Sequence, residues 1–366
     1  MLFQLKYTMD TVMFADSVEW CPIPPFLNVF VCATYQQKES SETDELASSN
    51  LGRKERVGCI YLLQLKSDIS AEVEQTLDTA GILDMKWSDF LLNDRPVLAV
   101  VTAAGEVNVY ELENVNSYHL KLLATAKMDR LSDKELLGLS VDWSKNPNHY
   151  EISVSDSHGN VSVFSLTSSN LTLKYHWNAH TFEAWITCFD RLNSSIVYSG
   201  GDDCMFFSFD TRCDNSRPQL INRHHEAGVT SLHCNPIEHQ YLASGSYDET
   251  LRIWDVRHLK APIKSINLGG GIWRIKWEPK SAKYLATACM YNHFQVIFDH
   301  ENKLEVVSTF KENDSIAYGI DFSYLDLKQT EESQNQLQFL LAMCSFYDHK
   351  LFIGNLSCTE EATELS

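Results

Sequence analysis

Long apolar runs, sorting signals and paired cysteines are all absent from this 366-residue sequence. No segment approaches the roughly 18 consecutive apolar residues of a membrane-spanning helix, so we expect no membrane contact. The first ten residues, MLFQLKYTMD, lack the basic and then apolar pattern of a secretion signal. The ten cysteines are scattered and form no C-x-x-C pair, so we expect no bound metal. They are typical of reduced, buried thiols in a cytoplasmic protein.

Positive charge is scarce as well, with 30 Lys and Arg residues against 49 Asp and Glu residues and a net charge of −19. Direct binding of nucleic acid needs a basic surface that displaces counterions from phosphates. The short basic stretch at 53–56 is interrupted by Glu55 and predicts a solvated loop. We therefore expect no nucleic-acid partner, and the acidic balance instead favours a basic or cationic one.

Motifs of familiar hydrolases and nucleotide-binding proteins are missing. The sequence contains no G-x-S-x-G, no H-E-x-x-H and no P-loop. The glycine run at 269–271 precedes strand residues and is not followed by a helix or a Lys-Ser pair. It therefore predicts a tight loop rather than a phosphate cradle, and we expect no cofactor.

What the sequence does contain is an internal repeat. Seven apolar segments end in an aromatic residue or, once, in cysteine. These ending residues are Trp20, Trp87, Trp143, Phe189, Cys234, Trp277 and Phe322. Successive endings are 67, 56, 46, 45, 43 and 45 residues apart, which converges on the period of a four-stranded propeller blade. A polar insert at 36–57 accounts for the first long step, and its composition predicts a disordered loop.

A second, independent alignment gives the same period. The tight turns between second and third strands have equivalent positions that are 54, 45, 45, 44 and 56 residues apart. One repeat, YLASGSYDETLRIWD at 241–255, carries the full WD signature and ends in Trp254–Asp255. The predicted fold class is therefore all-β, a seven-bladed WD-repeat β-propeller.

Residues 1–366 are predicted to form this single propeller domain, closed by the N-terminal strand. The last blade needs an outer strand, which residues 3–8 can supply beside 350–355. Such closure removes an exposed strand edge. Residues 356–366 show no strand pattern and are predicted to be an acidic tail. We expect a monomer.

Two His–Asp pairs invite a catalytic interpretation, His180 with Asp203 and His225 with Asp248. Each histidine precedes a first strand, and each aspartate lies in a turn of the same blade. WD repeats place a hydrogen-bonded structural pair at these positions, and buried polar groups need such partners. The pair in the WD-signature blade is therefore predicted to be structural. Its predicted partners are Ser244 or Ser246, and Trp254.

Aromatic residues gather at the mouth that carries the starts of the first strands and the Asp turns. Counting back four residues from each repeat ending gives equivalent positions: Asp16, Leu83, Leu139, Trp185, Thr230, Trp273 and Tyr318. The turns and their surroundings add Asp202, Tyr247, Tyr291, Tyr347 and Glu183. Aromatic faces beside carboxylates suit a quaternary ammonium ligand, which has no hydrogen to donate and is held by ring quadrupoles. Each aromatic residue alone has the alternative of packing between blades.

Eight segments go beyond the general WD pattern. They are ADSVEWCP (15–22), ILDMKW (82–87), HTFEAWI (180–186), IVYSGGDD (196–203), ASGSYDE (243–249), GGGIWRIKW (269–277), ACM (288–290) and CSFYDH (344–349). They resemble the diphthine methyl ester hydrolases, a WD-repeat family of diphthamide biosynthesis. One departure is the last strand, which ends LFIGN where that family tends to finish with Trp.

The resemblance implies hydrolysis of a methyl ester on the modified histidine of translation elongation factor 2, which is then the partner, with release of methanol. The trimethylammonium group of that substrate agrees with an aromatic and acidic mouth. The alternative is a non-catalytic scaffold that docks a protein partner on the same face, the usual function of such a propeller.

Ester hydrolysis needs an activated nucleophile, a base and donors that face the oxyanion. His349 is the favoured base for an attacking water, because imidazole exchanges protons near neutrality and no structural pair requires it. Asp202 is the competing base. Arg274 is a candidate for facing the oxyanion, with an ion pair as its equal alternative. Ser345 and Cys289 are possible nucleophiles for a covalent route, but their apolar strands predict core positions.

Overall fold

The computed structural model describes residues 1–38, 55–128, 135–146, 149–213, 217–326 and 336–359. Within these ranges the chain forms 28 β-strands, arranged as seven four-stranded antiparallel sheets. None of the elements in these ranges is a helix long and apolar enough to cross a bilayer. The predicted all-β, seven-bladed propeller is confirmed.

Each sheet is one blade, whose first strand lies innermost. Blade 1 contains β2 (Phe14–Trp20), β3 (Val29–Gln37), β4 (Arg56–Leu65) and β5 (Ala71–Ala80). Blade 2 contains β6 (Ile82–Leu92), β7 (Arg95–Thr102), β8 (Glu106–Asn114) and β9 (Tyr118–Lys127). Blade 3 contains β10 (Gly138–Trp143), β11 (Tyr150–Asp156), β12 (Asn160–Thr167) and β13 (Asn170–Asn178). Blade 4 contains β14 (Ile186–Phe189), β15 (Ile196–Gly200), β16 (Phe206–Asp210) and β17 (Leu220–Asn222).

The remaining blades follow the same order. Blade 5 contains β18 (Val229–Cys234), β19 (Tyr241–Ser246), β20 (Thr250–Asp255) and β21 (Lys264–Asn267). Blade 6 contains β22 (Arg274–Trp277), β23 (Tyr284–Ala288), β24 (Phe294–Asp299) and β25 (Leu304–Phe310). Blade 7 contains β26 (Ala317–Phe322), β27 (Gln336–Ser345) and β28 (Lys350–Thr359), and its outer strand is β1 (Leu2–Asp10).

The hydrophobic core lies between neighbouring blades rather than at the centre. One cluster, for example, joins Ala99 and Val109 of blade 2 to Val141, Trp143 and Val154 of blade 3. Side chains alternate along each inner strand because successive residues of a strand point to opposite faces. Every second residue therefore enters a core between blades, and its neighbours line the central channel.

Channel-lining side chains bind each blade to the next. Asp321 of blade 7 accepts a hydrogen bond of 2.8 Å from the Trp20 backbone of blade 1. Asp84 of blade 2 accepts one of 3.0 Å from the backbone of Val141 in blade 3. A buried carboxylate is tolerated when it is hydrogen-bonded. These polar side chains of the channel therefore help to hold neighbouring blades together.

The ring closes through β1 and β28. Their antiparallel register runs from Leu2 opposite Ser357 to Asp10 opposite Lys350. Beyond the strands, the backbone nitrogen of Thr11 donates a hydrogen bond of 2.8 Å to the carbonyl oxygen of His349. The two ends of the described chain thus share one sheet.

Two predicted irregular segments are partly wrong. The predicted tail 356–366 begins too early, because β28 continues to Thr359 and the buried Leu356 pairs with Phe3. The predicted loop 36–57 is too long, because Gln36 pairs with Val57 and its neighbours extend β3 and β4. Backbone hydrogen bonds hold these strand ends, so apolar alternation does not reveal them. Residues 360–366 and 39–54 lie outside the described residues.

The predicted structural histidine pair is confirmed. His225 Nδ1 lies 2.9 Å from Asp248 Oδ2, and His225 Nε2 lies 2.7 Å from the Ser244 hydroxyl. Trp254 Nε1 donates a hydrogen bond of 2.8 Å to the same hydroxyl. All four side chains are buried and hydrogen-bonded to one another, so this histidine stabilises the blade rather than exchanging protons.

Blade 4 builds the same arrangement without the tryptophan. His180 Nδ1 lies 2.9 Å from Asp203 Oδ1, and its Nε2 lies 2.9 Å from the Ser199 hydroxyl. Phe207 stacks on the imidazole with ring centroids 4.7 Å apart. This second histidine is therefore also part of the framework.

Candidate functional site

Seven side chains surround one end of the channel, and we call them the mouth ring. In five blades the ring residue sits at a register shift in the inner strand, and in blades 4 and 6 it directly precedes that strand. The ring consists of Asp16, Leu83, Leu139, Trp185, Thr230, Trp273 and Tyr318. A β-bulge re-aims a side chain at the rim of a sheet, so this irregularity accounts for five of the positions, and the two residues that precede their strands lie at the same end.

Four of the predicted aromatic residues meet in one connected cluster. The Trp185 and Trp273 rings lie 5.5 Å apart, and Tyr247 lies 6.4 Å and 6.1 Å from them respectively. Tyr318 stacks on Trp273 at 4.5 Å. Trp273 is 8% exposed, and its Nε1 has no hydrogen-bond partner among the described residues. A buried indole with an unused donor is typical of a surface that a ligand completes.

Two carboxylates border this aromatic cluster. Asp202 Oδ1 accepts a hydrogen bond of 3.0 Å from Trp185 Nε1, and the backbone nitrogen of Asp202 bonds the carbonyl oxygen of Glu183 at 2.9 Å. Burial and then the charges of both acids raise the pKa of Tyr247 above its ordinary value. The negative charge and the aromatic faces are therefore adjacent, as the sequence predicts.

Residues of blades 7 and 1 extend the aromatic surface. Phe346 lies 4.7 Å from Tyr318 and 4.9 Å from Phe14. Phe14 in turn contacts Tyr347 at 5.4 Å and the imidazole of His349 at 5.0 Å. The structure thus brings Tyr347 and His349 to the same face, but on the far side of two phenylalanine rings from Trp273.

Tyr291 is not brought into this cluster. Its side chain is 83% exposed, and it makes no ring contact with other residues of the described ranges. Its side chain extends into solvent instead, which counting along the sequence cannot show.

Arg274 lies in the channel just below the mouth. It is buried, and its Nη1 forms an ion pair of 3.2 Å with Asp84 Oδ1 across the channel. Burial alone would lower the pKa of Arg274, but Asp84, Glu19 and Asp16 raise it above its usual value. The structure shows the ion pair that was the alternative for this residue.

The two possible covalent nucleophiles lie in the core. Cys289 is fully buried, and burial raises the pKa of its thiol to about 12. Ser345 is fully buried as well, and its hydroxyl has no partner among the described residues. Within the same part of the chain, no group of three or more His, Cys, Asp or Glu side chains is placed to hold a metal ion.

Asp16, Phe14 and Phe346 are the members of the site that the sequence left without a role. The repeat alignment does place Asp16 at the mouth, but only the folded ring shows that it is buried there. Phe14 follows no repeat position, Phe346 begins a turn of the repeat without being singled out by it, and their contact depends on closure of blade 7 against blade 1. Their hydrophobic character alone predicts core.

Similarity to known proteins agrees with this architecture. Residues 216–255 match the family described as "WD domain, G-beta repeat". A chain of the "Crystal Structure of Mitotic Checkpoint Complex" has the same fold, with a TM-score of 0.69 and 16% identity over 96% of this chain and 91% of that chain. The protein is a WD-repeat propeller with an aromatic and acidic mouth.

Sequence relatives define the family more narrowly. The "Diphthine methyltransferase homolog" of Dictyostelium discoideum is 34% identical over 93% of this chain and 95% of its own length. The "Diphthine methyltransferase" of Mus musculus is 32% identical over 87% of this chain and 69% of its own length. This chain belongs to the diphthine methyltransferase family, which confirms the resemblance found in its segments.

Proposed function

We propose that this protein is an enzyme of diphthamide biosynthesis that hydrolyses the methyl ester of methylated diphthine on translation elongation factor 2. Water adds to the ester carbonyl, the bond to the methoxy oxygen breaks, and methanol and the free carboxylic acid leave. The reaction consumes only water, so the proposal requires no cofactor.

The observation that carries this proposal is the aromatic cluster at the mouth. A trimethylammonium group has no N–H to donate, so it binds best against ring faces in a poorly hydrated site. Trp185, Tyr247 and Trp273 belong to three successive blades and present mutually inclined rings, at 90°, 65° and 36° to one another. Asp202 and Glu183 supply the countercharge. Tyr318 and Tyr347 extend the surface on which the rest of the substrate would lie.

The chemical step needs a proton acceptor for the attacking water and a donor for the leaving methoxide. His349 and Asp202 are the proton acceptors predicted from the sequence, and they lie at opposite ends of the aromatic surface. Arg274 is the cation nearest in sequence to the cluster. One of its nitrogens holds Asp84, and the other guanidinium N–H groups are the proposed donors to the oxyanion.

We further propose a monomer in the cytoplasm, where the elongation factor is found. The nine described cysteines are free thiols, and seven of them are buried, which suits a reducing compartment. The closed ring pairs β1 with β28, so the edge of β28 is covered within the chain and is not available to a second copy.

A non-catalytic scaffold is the competing function, and exposed apolar side chains favour it. Val12, Phe182 and Tyr347 protrude from turns on the mouth face with 72%, 60% and 62% of their surface exposed. Exposed apolar residues of this kind can bind a protein partner whether or not the propeller also catalyses a reaction.

Methanol release from methylated elongation factor 2 separates the two functions. Purified protein is mixed with the methylated factor, and methanol and the mass of the modified peptide are followed over many turnovers. We expect catalytic release of methanol and a mass loss equal to one methylene. Stoichiometric binding without methanol would establish the scaffold instead.

A further inference from the structure

Asp16 is the one carboxylate in the mouth ring. The other six positions carry Leu83, Leu139, Trp185, Thr230, Trp273 and Tyr318. Asp16 occupies the register shift between Ala15 and Ser17 in β2, next to blade 7 and its Tyr318. Asp16 is thus a charged side chain at a position where the other six blades carry uncharged ones.

The carboxylate is buried and incompletely satisfied. Asp16 is 2% exposed, and its Oδ1 has no hydrogen-bond partner within the described part of the chain. Buried carboxylates of the channel framework differ in this respect. Asp142, for example, accepts from the Phe189 backbone at 2.8 Å and from Arg191 at 3.1 Å. An unused acceptor at the mouth indicates that another group, such as a bound water, completes it.

Charges on several blades surround this group. Burial raises the pKa of Asp16 well above its ordinary value, Arg274 of blade 6 lowers it, and Asp84 of blade 2 raises it. The pKa values of Tyr318, Tyr35 and Cys344 are raised chiefly because these residues are buried. The negative charge of Asp16 is a smaller cause that raises them further. A carboxylate shifted in this direction is a stronger base than one in water, and the positive charge of Arg274 favours its ionised form.

We propose that Asp16 is the proton acceptor that activates the hydrolytic water. This inference rests on the proposed function. The water oxygen bonds the ester carbonyl carbon while one water proton passes to Asp16. The tetrahedral intermediate then expels methoxide, which takes that proton and leaves as methanol, and the product acid releases its remaining proton to solvent. Asp16 is regenerated as the carboxylate.

The other two candidate bases fit other roles. Asp202 uses Oδ1 to hold the Trp185 indole, which suits a countercharge beside the cation. His349 lies against Phe14, outside the mouth ring. The substrate would therefore place its ammonium group at blades 4 to 6 and its ester toward blade 1.

Asp16→Asn tests this assignment because it keeps the shape but cannot accept the proton. We expect methanol release from the methylated factor to fall by roughly 10²–10⁴-fold, the usual contribution of a positioned base. Binding of tetramethylammonium, followed by tryptophan fluorescence, should stay unchanged. Asp16→Ser serves as a second variant if the first fails to fold, and Asp142→Asn is the control for loss of a buried channel carboxylate.

Thermal stability and pH profiles separate catalysis from structure. Folding raises the pKa of Asp16, so its ionisation disfavours the folded state increasingly as pH rises from the unfolded toward the folded pKa. Asp16→Asn should therefore melt higher than wild type near neutral pH while being less active. The wild-type rate of methanol release should fall at acidic pH as the base becomes protonated. This fall should be absent in Asp16→Asn and present in His349→Gln.

Wild-type turnover in Asp16→Asn would overturn the assignment, as would loss of the fall in rate at acidic pH in His349→Gln alone. A variant that loses stability and tetramethylammonium binding together with activity would show a structural role. If wild-type protein itself releases no methanol, the proposed function fails, which is a distinct result from a failure of Asp16 alone.

Discussion

Trp185 and Asp202 are joined by a hydrogen bond of 3.0 Å from the indole Nε1 to the carboxylate Oδ1. The bond joins the residue before the inner strand of blade 4 to a turn of the same blade. It fixes the plane of the indole ring and places a negative charge beside it. A cation that settles on the ring faces thus meets its countercharge without any rearrangement, which limits the entropy lost on binding.

Replacing Trp273 by Leu tests the aromatic cluster. The substitution keeps much of the apolar volume and removes most of the ring quadrupole, so affinity for tetramethylammonium or the methylated factor should fall by up to about 2 kcal/mol. Titration calorimetry measures the loss. Tyr291→Leu is the matched control, because Tyr291 stands outside the cluster, and it should bind as wild type does. Equal affinities in both variants would mean that Trp273 only packs.

Replacing Asp202 by Asn tests the countercharge. The amide oxygen can still accept the Trp185 hydrogen bond, so the cluster should keep its geometry while the charge is lost. We expect weaker binding of tetramethylammonium and a shallower dependence of its affinity on salt, since screening acts on exposed charges. An unchanged salt dependence would show that Glu183 or the net charge of the whole chain provides the attraction.

Replacing Asp248 by Ala tests the structural pair. The change leaves His225 and the Glu226 backbone unpaired, and the free energy of unfolding should fall by about 1–3 kcal/mol. Burial alone would raise the pKa of Asp248, but hydrogen bonds from His225, Glu226 and Arg252 lower it well below its usual value. Its stabilisation is therefore present above the unfolded pKa and lost as pH falls further. Denaturant unfolding at pH 7 and below pH 4 should show the deficit of the variant shrinking. A variant as stable as wild type but inactive would move this pair into the active site.

Deleting residues 1–10 tests the closure. Removal of β1 exposes the backbone edge of β28, so we expect a lower melting temperature and aggregation on storage. Light scattering and thermal melts measure both effects. Gln4→Ala, on the exposed face of β1, keeps the strand and should behave as wild type. A soluble truncated protein with unchanged stability would show that the last blade does not need this strand.

Most of the fold is predictable because each blade repeats one pattern of inner strand and tight turn. Trp20, Trp143 and Trp277 end inner strands, Trp87 lies within one, and all four are buried as the spacing predicts. The ends of β28 and β3 escape prediction because backbone pairing, rather than side-chain pattern, extends them. Position along the repeat is thus readable from the sequence, whereas strand length at the periphery is not.

The site is predictable only where it follows the repeat. Trp185, Trp273 and Tyr318 occupy equivalent positions and meet as counted. The ion pair of Arg274 with Asp84 joins blades 6 and 2, and the contact of Phe14 with Phe346 joins blades 1 and 7. Such contacts depend on how the ring closes in space, so neither follows from distance along the chain.

The closure between β1 and β28 also sets an order in time. At a synthesis rate of roughly 5–20 residues per second, Leu2–Asp10 would leave the ribosome some tens of seconds before their partner strand. Throughout that interval the newborn chain has a free strand edge that a chaperone can bind and shield. The Phe14, Tyr347 and His349 side of the mouth assembles only when this last pairing forms, so a chain whose synthesis is interrupted late carries six blades and an unfinished pocket.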